Sequence, residues 1–173
     1  MTQETQNIMK EIKLDKVVLN MGVGKSGDAI ETAKKALDQI SNKKSCGRSA
    51  KKAYRDWGVR KGEPIGAAVT VRGNDAKSLL KKLFEAKGNN VKSRSIDKMG
   101  NISFGILEHI DIPGIKYDPK IGILGLDVAA RLVRPGYSIR IRSKHKASVG
   151  KSHKITPAEA KEYLVKEFGV VVS

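Results

Sequence analysis

The sequence predicts one α+β domain: a mainly antiparallel sheet with helices packed on one face, and with the other face and the loops basic for RNA. Three observations carry this reading. Strand-like and helix-like segments alternate at unequal spacing, unlike the regular repeat of a parallel α/β sheet. Several strand patterns have one apolar side and one polar or basic side, as half-buried strands do. The 173 residues hold 34 Lys and Arg against 18 Asp and Glu, a net charge of +16, which points to a polyanionic partner. The length suits a single domain with one core. Residues 1–10 are polar and read as a flexible N-terminal tail. The domain spans 11–173, with a protruding basic loop at about 46–62 and a basic segment at 134–154.

Each element has its own signal. "KVVLNMGV" (16–23) is β-branched and apolar, a strand that turns Val17 and Leu19 inward and Lys16 and Asn20 outward. The next segment opens with Asp28 three residues before Glu31, the spacing of a capping box. Ala29, Ile30, Ala33, Ala36, Leu37 and Ile40 then recur at intervals of three and four, one buried helix face. "IGAAVTVRG" (65–73) alternates as a strand, with Val69 and Val71 opposite Thr70 and Arg72. A second helix from about Asp75 lines up Leu79, Leu80, Leu83 and Phe84 and stops at Gly88. "NISFGILE" (101–108) sets Ile102, Phe104 and Ile106 against Asn101, Ser103 and Gly105. "LDVAARLV" (126–133) and "YSIRIRS" (137–143) are further strand candidates, the last setting Ile139 and Ile141 against Arg140 and Arg142. The final helix has Thr156 as cap, Pro157 in its first turn and Glu159 three residues after the cap, then Leu164 and Phe168 before Gly169. The outward faces are small, polar and basic. That suits RNA backbone, and it equally suits an ordinary solvated face.

One stretch carries the letters of two nucleotide-binding motifs. Gly22, Gly24 and Gly27 satisfy G-x-G-x-x-G, and "GKS" at 24–26 is the end of a P-loop. A P-loop needs a glycine five residues before the one in "GK", and Leu19 stands there, inside the strand. The dinucleotide fingerprint needs a second strand ending in a carboxylate roughly 20 residues on. "SNKKSCGRSAKK" stands there instead. The glycines therefore make a tight turn, whose free N–H groups still suit backbone phosphate. A nucleotide-binding enzyme using "GVGKSG" is kept as a minor alternative.

Two basic segments carry the stronger signal. Lys43 to Lys61 contains eight Lys or Arg, one acid (Asp56), and Tyr54 and Trp57. It reads as a protruding loop or hairpin that touches nucleic acid, or as a solvated loop with Trp57 folded onto the core. Arg134 to Lys154 has seven Lys or Arg and no acid. Such a run repels itself until phosphates neutralise it, unless it serves only solubility. Aromatic residues make up only 5% of the chain, so stacking platforms for single strands are few. The histidines are His109, His145 and His153, with no helical pair among them, and the single Cys46 belongs to no C-x-x-C. Glu108, Asp111, Asp118 and Asp127 read as caps and ion pairs. No catalytic site, metal or cofactor is expected. Cys46 also fits a reducing cytoplasm, and no apolar run long enough to span a membrane occurs.

At this point the motifs carry a resemblance. "KVVLNMGVG", "IGAAVTVRG", "GNISFGILEHI", "IKYDPKIGILGLD" and "RPGYSI", in this order, resemble the universal large-subunit ribosomal protein five family. The likeness runs from about residue 10 to the end, and the basic run and last helix resemble its archaeal and eukaryotic branch. The resemblance implies a structural constituent of the large subunit that attaches 5S rRNA at the central protuberance and contacts neighbouring large-subunit rRNA. It also implies a loop reaching P-site tRNA and a bridge to a small-subunit head protein. Asn20, Met21, Gly22 and Gly24 match the family's "NMGVG", Thr70 and Arg72 its "VTxRG", and Gly100 and Asn101 its "GN". Lys25, Lys43, Arg140 and Arg142 complete the expected rRNA-binding set. Arg48, Ser49, Lys51, Lys52, Arg55, Trp57 and Arg60 form the expected tRNA-facing loop. The sequence departs from the family where Asn42–Lys43 replaces a Gly-Gln pair and Arg48-Ser49-Ala50 replaces Thr-Lys-Ala. A general basic RNA chaperone is the other alternative.

Overall fold

The computed structural model describes residues 7–24, 27–115 and 117–173. Of the stretch expected to be a loose tail, the described part holds a short 3-10 turn, Ile8–Lys10, capped by the Asn7 side chain. Strand β1 (Lys13–Gly22) follows, with Val17, Leu19 and Met21 fully buried. Its pairing with a later strand shifts register between Leu14 and Lys16. The extra residue, Asp15, makes a bulge, so Leu14 reaches the core although strict alternation would place it beside Lys16.

Helix α1 (Asp28–Ser41) buries Ile30, Ala33, Ala36, Leu37 and Ile40, while Ala29 is exposed. The expected capping box does not form. Gly27 occupies the cap position, so Asp28 is already helical and acts only as a negative charge in the first turn. Strand β2 (Cys46–Ser49) lies within the basic stretch and pairs with β3 (Pro64–Arg72). Helix α2 (Asn74–Ala86) and the short β4 (Asn90–Val91) lead to β5 (Ile102–Ile106) and β6 (Leu126–Val133).

The expected strand at 137–143 is corrected. Ser138–Ile141 forms a one-turn helix, α3. Strand β6 is already bonded on one side to β1 and on the other to β5, so a strand returning along it has no partner. The Pro135–Gly136 pair ends it instead. Helix α4 (Pro157–Phe168) has its full capping box, with Thr156 Oγ1 accepting from the Glu159 N–H and Glu159 accepting from the Thr156 N–H at 2.9 Å. It ends in left-handed Gly169, and β7 (Val171–Val172) returns to pair in parallel with β4.

The main sheet has the order β2-β3-β1-β6-β5, with every neighbouring pair antiparallel. Its inner face carries cross-strand rows such as Val71–Val17–Ala130–Ile102 and Val69–Leu19–Val128–Phe104. The apolar faces of α1, α2 and α4 belong to the same core. Phe84 of α2 stacks on Phe104 of β5 at 5.2 Å and meets Phe168 of α4 edge-on at 5.5 Å, joining sheet and two helices through one ring.

Arg134 opens the basic segment, yet it is 9% exposed and faces the protein's own groups. Its Nε donates to Lys10 O at 3.0 Å, Nη1 to Lys154 O at 3.3 Å, and Nη2 to Glu159 at 2.8 Å. One guanidinium thus ties the N-terminal turn, the basic segment and the α4 cap together.

Gly66 is needed where β1 and β3 approach. A Cβ built there falls 2.6 Å from the Met21 carbonyl oxygen, and backbone cannot yield as a side chain does. Gly66→Ala is expected to destabilise the fold by about 1–3 kcal/mol, as overpacking does, read as a lower urea midpoint at unchanged m-value.

Candidate nucleic-acid interface

The helices leave the other sheet face open, and strand register fixes what lies on it. Opposite the buried row Val71–Val17–Ala130–Ile102 comes the outward row Arg72–Lys16–Arg131, running across β3, β1 and β6. The next row holds Thr70, Val18, Ala129 and Ser103, and the one after it Cys46, Ala68, Asn20, Asp127 and Gly105. At the far end Arg48, Gly66 and Gly22 adjoin. The face is therefore small-sided and flat in the middle, with three cations aligned at one end.

Like charges directly opposite on neighbouring strands repel. Here Lys16 has Arg72 on one side and Arg131 on the other. Only Arg131 has a counter-charge, Asp15 at 3.8 Å; among the described residues Lys16 and Arg72 have none. Among the described residues the fold relieves this cost only at Arg131, and a phosphate chain laid across the row would relieve the rest. The Asp15 bulge helps to build the row, because it sets Lys16 opposite Arg131.

The expected site residues divide accordingly. Asn20, Thr70 and Arg72 are exposed on this face, and Gly22 is at its end. Met21 is 1% exposed and its side chain belongs to the core, so only its backbone can face a ligand. Gly100 is buried: an added Cβ would lie 2.6 Å from Ile155 Cγ2, and its φ is +75°, so packing explains this glycine. Asn101 donates to Asp97 and closes the turn before β5. Lys43 pairs with Asp75 at 2.8 Å, at the end of the sheet where Arg72 stands. Lys25 lies outside the described residues. Arg140 donates to the Tyr137 hydroxyl at 3.0 Å and Arg142 to His145 O at 2.8 Å, so neither extends the sheet face.

The glycine turn does not cradle an anion at its first two amides, since Val23 and Gly24 both donate to Ile65 O. The strand beside β1 on that side is antiparallel, which excludes the dinucleotide-binding topology.

The loop beyond β2 is a small hairpin. Ala50 pairs with Glu63 and Gly62 at its base, and Tyr54 and Val59 bridge higher up. Lys51, Lys52, Arg55 and Arg60 are exposed along it, as are Arg48 and Ser49 on β2. Trp57 does not fold back on the core. It is 76% exposed, with its ring 5.3 Å from that of Tyr54.

The acidic residues behave differently from expectation. Asp118 does close a turn, accepting from the Lys120 N–H. Glu108, Asp111 and Asp127 are exposed and form no ion pairs among the described residues. Asp127 stands on the open sheet face between Asn20 and Gly105, while Glu108 and Asp111 belong to the connection after β5, where Leu107, Tyr117 and Ile123 are also exposed. Buried His109 holds this connection, accepting from the Leu124 N–H while its own N–H donates to Leu124 O.

Sequence reading assigned no role to Arg131, Tyr137 or the row of which Arg131 is part. The signal lay in strand register, which no single segment contains.

Comparison with known proteins agrees with the motifs. Residues 7–60 match the family model of ribosomal protein L5, and residues 64–170 match the model of the same ribosomal family's C-terminus. The large ribosomal subunit protein uL5 of Nitrosopumilus maritimus (strain SCM1) is 69% identical over 173 residues, the whole of both chains. That of Cenarchaeum symbiosum (strain A) is 68% identical over 95% of this chain and 97% of its own. That of Sulfurisphaera tokodaii is 44% identical over 98% and 96%. With both family models matched in sequence order and likeness held from end to end, the chain belongs to the uL5 family of ribosomal proteins.

Proposed function

We propose that the open sheet face holds 5S rRNA and attaches it at the central protuberance of the large subunit. Membership of this family makes the chain a structural constituent of the cytoplasmic ribosome and not an enzyme. The observation that carries the finer reading is the row Arg72–Lys16–Arg131, in which only Arg131 has a counter-charge among the described residues, beside a flat, small-sided surface. Cations position a phosphate backbone, and the shape of a folded RNA supplies the discrimination. The exposed segment after α3 serves neighbouring large-subunit rRNA. The Tyr54–Trp57 hairpin, with five exposed cations and an exposed aromatic tip, reaches P-site tRNA. The connection bearing Glu108 and Asp111, with exposed Leu107, Tyr117 and Ile123, repels phosphate and suits a basic protein, the small-subunit head partner.

The test is equilibrium filter binding to 5S rRNA with tRNA as competitor, over about 0.1–0.5 M salt. Preference for 5S rRNA that survives high salt supports a shaped site. Equal binding to both, lost with salt, makes the protein a general basic chaperone. A companion variant replaces residues 52–60 by Gly-Gly, keeping the Ala50–Glu63 base intact. It is expected to bind 5S rRNA as the parent does and, in reconstituted ribosomes, to weaken P-site tRNA retention. Lost 5S binding would end that division of labour.

A further inference from the structure

A cleft of about 230 Å³ opens where the end of β6, α3 and the segment 148–155 meet. Its apolar walls include Met99, Val149 and Ile155, and no carboxylate among the described residues lines it. At its side stands Tyr137, with the Arg131 guanidinium 4.1 Å over the ring and that of Arg140 at 5.8 Å, bonded to the ring's hydroxyl. The stacking holds two planar cations in fixed positions while leaving further N–H donors unused. Arg131 is also the last cation of the outward row, and Asn101, from the neighbouring strand end, lines the cleft too. A backbone following the row therefore arrives at the cleft's mouth.

We propose that this cleft receives one unstacked nucleobase of the bound RNA, its adjoining phosphate held by Arg131 and Arg140. An apolar slot with guanidinium planes at its rim matches the way proteins hold splayed RNA bases. This rests on the reading of the open face as an RNA surface.

The test compares 5S rRNA binding by the parent, Ser148→Trp and Lys16→Ala. Ser148 is exposed at the cleft, so the indole fills it without entering the core. Ser148→Trp is expected to lose roughly tenfold or more in affinity at an unchanged salt slope, because stacking is lost and charge is not. Lys16→Ala is expected to flatten the slope. Ser148→Trp binding as the parent does, while Lys16→Ala weakens, overturns the cleft and leaves the sheet-face reading standing. Parental binding by both variants overturns both. A second measurement uses the parent protein alone: titration with AMP, CMP, GMP and UMP, followed by amide NMR shifts. Weak shifts confined to 99–101, 131–140 and 148–155, abolished by saturating 5S rRNA, are expected. Shifts elsewhere, or a mononucleotide that stays bound alongside RNA, overturn the assignment, the latter making the cleft a free-nucleotide site.

Discussion

Arg134→Ala is expected to lower the unfolding free energy by about 2–3 kcal/mol, less than the roughly 3–5 kcal/mol of a fully buried pair because the Glu159 side chain is 38% exposed. The loss is large because acceptors from opposite ends of the chain, Lys10 O on one side and Lys154 O and Glu159 on the other, share this one side chain. Urea unfolding would measure it, and a loss under about 1 kcal/mol would refute the staple. Acid makes an independent check. The Thr156 N–H first, and Arg134 after it, hold the Glu159 carboxyl below its ordinary value of 4.5, against burial, which raises it. A depressed carboxylate contributes stability above its unfolded value and loses it as pH falls through the folded one. The contribution should therefore be full at neutral pH and fade below about 4.5. In Arg134→Ala this acid-sensitive part should shrink but persist, since the Thr156 bond remains.

Lys16→Ala combined with Arg72→Ala is expected to separate stability from binding. Removing two of three aligned cations relieves repulsion in the free protein, so its melting temperature should hold or rise. Affinity for 5S rRNA should fall on the order of tenfold for each lost charge-assisted contact. The slope of log affinity against log salt should become shallower by roughly two. Unchanged affinity with a lowered melting temperature would show the row to be structural. The same double substitution on an unrelated RNA measures how much of the loss is charge alone.

What was legible in the sequence was whatever one segment carries by itself. Ile102, Phe104 and Ile106 alternate because one sheet face is buried, and that alternation sufficed. The Thr156–Glu159 box is wholly local and formed as read. Identical spacing at Asp28–Glu31 misled, because a glycine before it had already taken the cap position. Alternation at 137–143 misled because a strand also needs a free neighbour, and β6 has none to offer. Strands β4 and β7, two residues each, are too short to leave a pattern. At the candidate site, the outward Asn20, Thr70 and Arg72 followed from parity alone. The row through Arg131 depends on a bulge and three strand registers, and the burial of Arg134 depends on segments more than a hundred residues apart.

The sheet order also has a consequence for biosynthesis. The first strand made, β1, ends in the middle of the sheet, between β3 and β6. Until residue 133 has been synthesised, one edge of β1 and its apolar neighbours have no partner, and pairing across such a long separation is slow. An incomplete chain therefore presents an open, adhesive strand edge beside a strongly cationic surface, in a cell crowded with nucleic acid. Synthesis of this protein favours a rapid finish: a ribosome stalled before β6 would hold a chain able to aggregate with its own kind, whereas one released after it closes its own sheet.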